Sequence, residues 1–304
     1  MLRIKLVKIF QWIGIFLIAA LGLAVLALLA LYYKTNEMIY KKYDIKVEPL
    51  KISMDAQSVE RGRQIVTTRG GCTECHSPNL AGQVFDEGIL VGRMVIPNLT
   101  PGKGGIGATF TDLDWVRAIR YGLNKDGTSL LGMPSEVFNG LSDADLAAVI
   151  AYLRSAPPVD TDHPKMRLGP MFRWFILSEP HALPASLINF SAPRPPDPVP
   201  GVTVEYGKYL AIACKICHME NYAGGTEPGQ GLNLTPGGDL AKWSEEDFMK
   251  ALRTGVTPSG KKLDPNLMPW QSMGKMSDDE LKAIWLFLKS LPPIENKIQA
   301  TATP

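Results

Sequence analysis

Two short cysteine motifs constrain this chain most, because together they use all four of its cysteines and two of its four histidines. Each has the form Cys-x-x-Cys-His, and the residues are Cys72, Cys75 and His76 in the first and Cys214, Cys217 and His218 in the second. Two thiols at this spacing lie on one side of a helical turn, where they can form thioether bonds to the vinyl groups of a haem while the imidazole binds its iron. The pattern predicts two covalently bound haem c groups.

Other uses of cysteine fit the pattern less well. Disulfide-forming cysteines have no reason to be followed by histidine each time, and a redox-active Cys-x-x-Cys needs a βαβ context that the flanking sequence does not offer. A zinc site built from both pairs is an alternative, but the pairs lie 142 positions apart and structural zinc pairs are usually much closer.

A Met-Pro pair follows each motif and could supply the second axial ligand of an iron. Met133 follows His76 by 57 residues, and Met268 follows His218 by 50. Histidine and methionine together are the ligand pair of cytochrome c, and the thioether raises the reduction potential. Core filling is the alternative role for any single methionine.

An internal repeat relates the two halves of the chain. Residues 141–146 match residues 276–281 at an offset of 135, and at the same offset Met133 corresponds to Met268. Two Asn-Leu-Thr-Pro segments also match at 135, whereas the cysteine motifs match at 142, so the first copy has seven extra residues between these features. Self-similarity of this extent indicates two copies of one folding unit.

The repeat also ranks the other possible ligands. Met273 and Met276 are rivals in the second copy, but their counterparts in the first copy are not methionine. His163 and His181 could replace a methionine, but neither has a counterpart in the other copy. The two Met-Pro methionines are therefore favoured.

Each copy is predicted to be helical. Helix N-caps are expected at Thr111, Ser142, Ser244 and Ser277, with Asp145 and Glu280 in the capping-box position three residues after the two caps of the terminal helices. Apolar residues recur at helical spacing beyond each cap, and the terminal helix of each copy stops before a Pro-Pro pair. A first helix, from Val59 to Thr68 or from Val204 to Ala211, leads into each cysteine motif. Convincing alternating strands are not evident, so the predicted fold class is all-α.

This order of elements resembles class I cytochrome c over residues 55 to 160 and 200 to 295. In that family a glycine on the first helix lets the terminal helix cross closely, packed by an aromatic residue. The corresponding pairs here are Gly62 with Tyr152 and Gly207 with Phe287. The Asn-Leu-Thr-Pro and Met-Pro combination is similar to the haem subunits of membrane-bound alcohol, aldehyde and gluconate dehydrogenases, which carry three such domains where this chain carries two.

Residues around the predicted irons are less specific. Arg120 and Arg253 could neutralise haem propionates or be solvated at helix ends. Trp115 and Trp243 are expected in the core rather than against a cofactor. The Asn-Leu-Thr-Pro loops could provide the carbonyl that orients the ligand imidazole, although turn formation alone also explains their Asn and Pro.

The N-terminus predicts a membrane anchor. Residues 9–33 form a run of 25 with Gln11 as the only clearly polar member, long enough as a helix to cross a hydrocarbon core of about 30 Å. A cleaved signal has a shorter apolar core, of about 7–15 residues, and a cleavage site that is not clean here. Arg3, Lys5 and Lys8 precede the run and favour a cytoplasmic start. Since haem c is attached outside the bacterial inner membrane, both haem domains are expected on the periplasmic side of a single-pass protein.

The predicted organisation has six parts. They are a transmembrane anchor (1–34), a stalk (35–54), cytochrome c domain 1 (55–160), an interdomain linker (161–200), cytochrome c domain 2 (201–296) and a tail (297–304). Five prolines in 193–200 indicate a semi-rigid spacer. The apolar stretch 171–177 could clamp the domains together, or dock on a membrane subunit or the bilayer surface.

The predicted function is single-electron relay between an upstream donor and a downstream acceptor, expected to be other subunits of a membrane complex. Two six-coordinate irons would leave no open position for substrate, so the chain itself is not expected to be an enzyme. The alternatives are a dihaem enzyme of the peroxidase type and a structural haem subunit. A net charge of +2 does not favour nucleic acid as a partner.

Overall fold

The computed structural model describes residues 2–226 and 230–295. Helix α1 (Leu2–Ile39) begins the chain. The predicted tail, residues 297–304, and the last residue of predicted domain 2 lie outside the described part. The described chain is mostly helical, as expected for an all-α fold, and its helices form two separate hydrophobic cores.

The first helical unit follows α1. Its elements are α2 (Ala56–Thr67), α3 (Cys72–His76), strand β1 (Gln83–Asp86), α4 (Gly88–Val91), strand β2 (Gly92–Ile96), α5 (Asp112–Tyr121), α6 (Ser135–Phe138) and α7 (Asp143–Ser155). Strand β3 (Arg167–Leu168) and α8 (Pro170–Ser178) lie in the linker. The second unit contains α9 (Val204–Leu210), α10 (Lys215–His218), α11 (Glu245–Thr254), α12 (Trp270–Met273) and α13 (Asp278–Ser290).

The four predicted N-caps are confirmed. The hydroxyl groups of Thr111, Ser142, Ser244 and Ser277 each accept a hydrogen bond from a backbone N–H in the first turn of their helix. Leu146 and Leu281, the first apolar residues of the terminal-helix stripes, are fully buried. Both terminal helices end before their Pro-Pro pair, because proline cannot donate the next helical hydrogen bond.

Close helix crossings organise both cores. A Cβ atom added at Gly62 on α2 would overlap the carbonyl oxygen of Ala148 on α7, and one added at Gly207 on α9 would overlap that of Ala283 on α13. Glycine is therefore required at both crossings. The predicted glycine-mediated packing of the first helix on the terminal helix is confirmed in each unit.

A small antiparallel sheet, which alternation in the sequence did not reveal, accompanies the helices. β1 pairs with β2 in the register Gln83↔Ile96 to Asp86↔Arg93, and β3 adds to the other edge of β2. This hairpin lies between the first cysteine motif and its Asn-Leu-Thr-Pro segment, where the first copy has its seven extra residues. The strands have at most five residues, too few for alternating hydrophobicity to stand out in the sequence.

The predicted stalk lies along the first unit instead of standing free. α1 continues to Ile39, and the Tyr43 N–H then donates to the carbonyl of Gly127 at 2.9 Å. Val47, Leu50 and Ile52 pack against the first core. This burial ties the end of α1 to the first haem-motif unit.

α8 packs against the end of α1. Arg173 donates to the Thr35 hydroxyl at 2.7 Å and to the Asn36 side-chain oxygen at 2.8 Å, and its guanidinium lies 4.2 Å from the centroid of the Tyr32 ring. Ile176 is buried in a small cluster that includes Met38 and Ile39 of α1. The apolar stretch 171–177 thus clamps α1 to the linker.

Among the described residues, one helical stretch, Lys8–Ile39, is long and apolar enough to cross a membrane, and its side chains are not buried in the protein. Apolar side chains left uncovered along a helix of this length suit contact with lipid.

Candidate haem-binding sites

The cysteine motifs adopt a single helical turn in both units. Cys72 and Cys214 pack against their respective cores, and burial raises the pKa of each thiol to about 12. Cys75 is exposed and Cys217 is half-buried. In each motif one thiol therefore lies at the core and the other towards the surface, so a group linked to both would reach from the core to the surface of its unit.

The two motif histidines have matching environments. The Nδ1 atom of His76 lies 2.9 Å from the carbonyl oxygen of Pro97, and that of His218 lies 2.6 Å from the carbonyl oxygen of Leu232. Burial lowers the pKa of both imidazoles, which keeps them neutral. A neutral ring that donates from Nδ1 leaves the Nε2 lone pair for a metal.

Both acceptor carbonyls come directly before an Asn-Leu-Thr-Pro segment. The Asn98 amide donates to the carbonyl of Val159 at 2.7 Å, and the Asn233 amide donates to that of Ile294 at 2.7 Å. Each asparagine thereby ties its loop to the chain that leaves the terminal helix. Both roles considered for these segments hold, since they form a turn and fix the carbonyl that orients the histidine.

The Met-Pro pairs have nearly identical backbones. Pro134 has φ −77° and ψ 56°, and Pro269 has φ −76° and ψ 56°. Met133 and Met268 are half-buried and pack against their cores. The rival Met276 is 2% exposed within the second core, at the position equivalent to Leu141, so it has the packing role of an apolar residue.

Other candidate ligands are engaged elsewhere. The Nε2 atom of His163 lies 2.7 Å from the carbonyl oxygen of Ala81, and the Nδ1 atom of His181 lies 2.9 Å from a carboxylate oxygen of Glu136. These contacts give both histidines structural partners on the first unit.

The two arginines considered for propionates bind the start of a terminal helix. Arg120 is 2% exposed and contacts the Asp143 carboxylate at 2.5 Å. Arg253 contacts the equivalent Asp278 at 2.7 Å. Both arginines thus have a structural ion pair, but burial of Arg120 contradicts the alternative that it is solvated, whereas Arg253 is partly exposed.

The residues present fit a c-type haem. Each unit carries two thiols on one turn, a buried neutral imidazole and a half-buried thioether that packs against the same core as the first thiol. A Cβ at Gly231 would lie 2.5 Å from atoms of the His218 ring, so glycine makes room for that ring. The buried Nε1–H of Trp115 has no hydrogen-bond partner among the described residues, which leaves a donor inside the first unit for a bound group.

The units contact each other through segments that belong to or adjoin their cysteine motifs. The Ser272 hydroxyl on α12 donates to the Glu74 carboxylate inside the first cysteine motif at 2.5 Å. Gly140, which follows α6, lies against the side chain of Ile212, two residues before the second motif. Burial and then the neighbouring Glu74 carboxylate raise the pKa of Cys75.

A buried carboxylate strengthens this contact. Asp145 on α7 is fully buried and forms ion pairs with Arg61, at 2.5 Å, and with Arg69. The Tyr209 hydroxyl, from α9 of the second unit, donates to the same carboxylate at 2.5 Å. Burial alone would raise the pKa of Asp145, but Arg69, Tyr209 and Arg61 together lower it, so the carboxylate is charged.

The sequence alone did not reveal this network. Asp145 was expected in a capping box, three residues after Ser142. The Ser142 hydroxyl does cap the helix, but the carboxylate turns to residues that lie 64 to 84 positions away in the chain. The only hint in the sequence is that Asp145 is a charged residue on α7, a helix whose apolar side faces the core.

Comparison with known proteins identifies the family of both units. The family model for cytochrome c matches residues 59–157 and 204–292. The fructose dehydrogenase cytochrome subunit of Gluconobacter japonicus is 27% identical over 81% of this chain and 55% of its own length. The cytochrome c subunit of a quinone-dependent alcohol dehydrogenase from Gluconacetobacter polyoxogenes is 28% identical over 79% and 57%, and that of gluconate 2-dehydrogenase from Pantoea cypripedii is 29% identical over 77% and 59%.

The chain therefore spans somewhat more than half the length of these relatives. The family model covers each of the two helical units from its first helix to its terminal helix, so each unit is a cytochrome c domain, called domain 1 and domain 2 below. This chain belongs to the cytochrome c family, and it carries one covalently bound haem c in each domain.

Proposed function

We propose that this protein is a membrane-anchored dihaem cytochrome that relays single electrons on the periplasmic side of the bacterial inner membrane, as the cytochrome subunit of a dehydrogenase complex. When bound, each haem supplies a one-electron couple between ferric and ferrous iron. The observation that carries the proposal is the contact between the Ser272 hydroxyl, on the helix after the Met-Pro pair of domain 2, and the Glu74 carboxylate inside the cysteine motif of domain 1.

The ligands are proposed from the two cysteine motifs and from the Met-Pro pair that the repeat places after each. Thioether bonds come from Cys72, Cys75, Cys214 and Cys217; axial ligands come from His76 and Met133 in domain 1 and from His218 and Met268 in domain 2. The carbonyls of Pro97 and Leu232 orient the histidines. Six-coordinate irons leave no position for substrate, so the chain is proposed to transfer electrons without being catalytic itself.

The partners are proposed from the relatives, whose names assign them to fructose, alcohol and gluconate dehydrogenases. A dehydrogenase subunit that oxidises a sugar or an alcohol would donate electrons, and an acceptor in the membrane would remove them. α1 holds the chain beside that acceptor, with its positively charged start in the cytoplasm. Purification in mild detergent, followed by identification of attached subunits, tests the assignment; a chain that always purifies alone would contradict it.

The relay itself can be tested with one ligand exchange. Met268→His should lower the potential of the domain 2 haem, because imidazole replaces a thioether. The two haems then become separately visible in an optical redox titration. After rapid reduction by a small reductant, electrons should redistribute to the domain 1 haem at a rate independent of protein concentration.

A redistribution rate proportional to protein concentration would mean that electrons pass between molecules, and it would refute the relay. Met273→His is the matched control, since this residue lies near Met268 but is not a proposed ligand. It should leave both potentials unchanged. Binding of carbon monoxide to the reduced unaltered protein would show an open iron and would favour the peroxidase-type alternative.

A further inference from the structure

Five exposed apolar side chains form one surface beside the end of α1, here called the apolar face. They are Ile89 (79% exposed) and Leu90 (63%) on α4, and Met171 (58%), Trp174 (68%) and Phe175 (47%) on α8. The Gly169 N–H donates to the carbonyl of Val91 at 2.9 Å, which joins the tip of the hairpin to the start of α8.

The opposite side of α8 faces the protein. Phe172 and Ile176 pack in the cluster shared with α1, and Arg173 points towards Thr35 and Asn36. Arg173 is the only charged residue of α8. Met171, Trp174 and Phe175 recur at helical spacing on the other side, so α8 presents an uncharged apolar surface away from the domain.

The depth of α8 follows from the length of α1. The apolar run at residues 9–33 is about 37 Å long as a helix, which exceeds a hydrocarbon core of about 30 Å. Its last turn, with Tyr32 and Tyr33, therefore lies at the headgroup level, where tyrosine is favoured. Since the Arg173 guanidinium lies 4.2 Å from the Tyr32 ring, α8 is held at the same level.

We propose that the apolar face inserts into the outer surface of the bilayer, so that α8 and the hairpin tip form a second membrane contact that fixes the orientation of domain 1. This inference rests on the proposed spanning role of α1. Interfacial helices bury one apolar side by about 5–10 Å at the boundary between headgroups and acyl chains, and tryptophan is favoured there. A rigid contact at Arg173 would then hold the first haem site at a fixed height above the lipid.

Spin labelling of the full-length protein tests this placement. Because the four native cysteines are held in thioethers, a single introduced cysteine is the only thiol that reacts with a nitroxide label. Phe175→Cys and Ile89→Cys are compared, in vesicles of phosphatidylcholine and phosphatidylglycerol, with Leu26→Cys inside α1 and Val199→Cys in the linker, which is 84% exposed. The ratio of accessibility to oxygen over accessibility to a water-soluble nickel chelate reports depth in the membrane.

Labels at 175 and 89 should give a ratio several-fold above that at 199 and below that at 26. If the labels at 175 and 89 give the same oxygen-to-nickel accessibility ratio as the label at 199, while the label at 26 lies in lipid, the inference is wrong and the anchor is intact. A water-exposed label at 26 would overturn the anchor and with it the inference. If 175 and 89 lose nickel accessibility only when native membranes with partner subunits replace the vesicles, the face binds protein and the proposal is wrong.

Discussion

The two domains differ most clearly at the start of their terminal helices. In domain 2, Ser277 caps α13 and its N–H donates to the Glu280 carboxylate at 2.9 Å, which closes a capping box. In domain 1, Ser142 caps α7 in the same way, but the Asp145 carboxylate does not bond back to the Ser142 N–H. It contacts Arg61 and Arg69 of domain 1 and the Tyr209 hydroxyl of domain 2 instead.

Side-chain length does not explain this difference. Asp114 closes a capping box on α5 with the same side chain that Asp145 has. Arg61 on α2, Arg69 just after α2 and the Tyr209 hydroxyl draw the Asp145 carboxylate away from its own helix end. The copies therefore remain alike where they hold a haem and differ where they touch each other.

The largest expected loss of stability comes from the glycine helix crossing that both domains share. Gly62→Leu and Gly207→Leu should each separate the crossing helices of one domain, because a side chain there meets backbone that cannot move aside, and the cost should reach about 3 kcal/mol or more. Each variant should lose haem from its own domain. Haem content per chain, measured by pyridine haemochrome, should fall from two towards one. Gly14→Leu, at an open position on α1, should keep both haems.

The second prediction tests the difference directly. Asp145→Asn leaves the buried Arg69 without its counter-charge and should cost about 3 kcal/mol, at the low end for a buried pair because Arg61 is partly exposed. Glu280→Gln keeps an oxygen that can accept the Ser277 N–H and removes only the negative charge of an exposed capping box, so it should cost less than about 1 kcal/mol. Denaturant unfolding measures both values. Equal costs would mean that the buried network adds nothing.

The third prediction concerns acid. The pKa of Asp145 is lower in the folded protein than the ordinary value of about 3.9, so its contribution to stability is present above that value and is lost as the pH falls through the folded pKa. The stability advantage of the unaltered protein over Asp145→Asn should therefore be constant near neutral pH and shrink below about pH 4. Denaturation midpoints for both proteins at several pH values check this. An advantage that persists undiminished at pH 3 would contradict it.

The smallest expected effect is the loss of stability on removing an N-cap that both domains share, and it should be equal in the two domains. Thr111→Ala and Ser244→Ala each remove the N-cap of the middle helix and should each cost about 1 kcal/mol. Denaturant unfolding gives both values. A clear inequality would show that the shared scaffold has diverged beyond the interdomain contact.

Features encoded within a few neighbouring residues could be predicted from the sequence. The cysteine motifs, the four caps and the glycine crossings all depend on local spacing or on the repeat. The hairpin could not be predicted, because Gln83–Asp86 and Gly92–Ile96 are short and half-exposed. The seven extra residues nevertheless marked where the first copy would differ.

Contacts between distant segments could not be predicted either. Asp145 fits a capping box by its position, and only the folded arrangement of α2 and α9 shows its other partners. The pairing of Ser272 with Glu74 joins residues 198 positions apart. No local pattern signals such a contact, because its energy depends on packing between the domains.

The contact between the domains is reciprocal. The short helix after the Met-Pro pair of domain 2 touches the cysteine motif of domain 1 through Ser272, and the end of the equivalent helix in domain 1 touches the approach to the cysteine motif of domain 2 through Gly140. Two identical copies of one domain can make such a contact in a symmetric dimer. A symmetric pair has equal haem sites and gives electrons no direction. Joining the copies in one chain lets each site change alone, so their potentials can diverge and impose a direction on the flow.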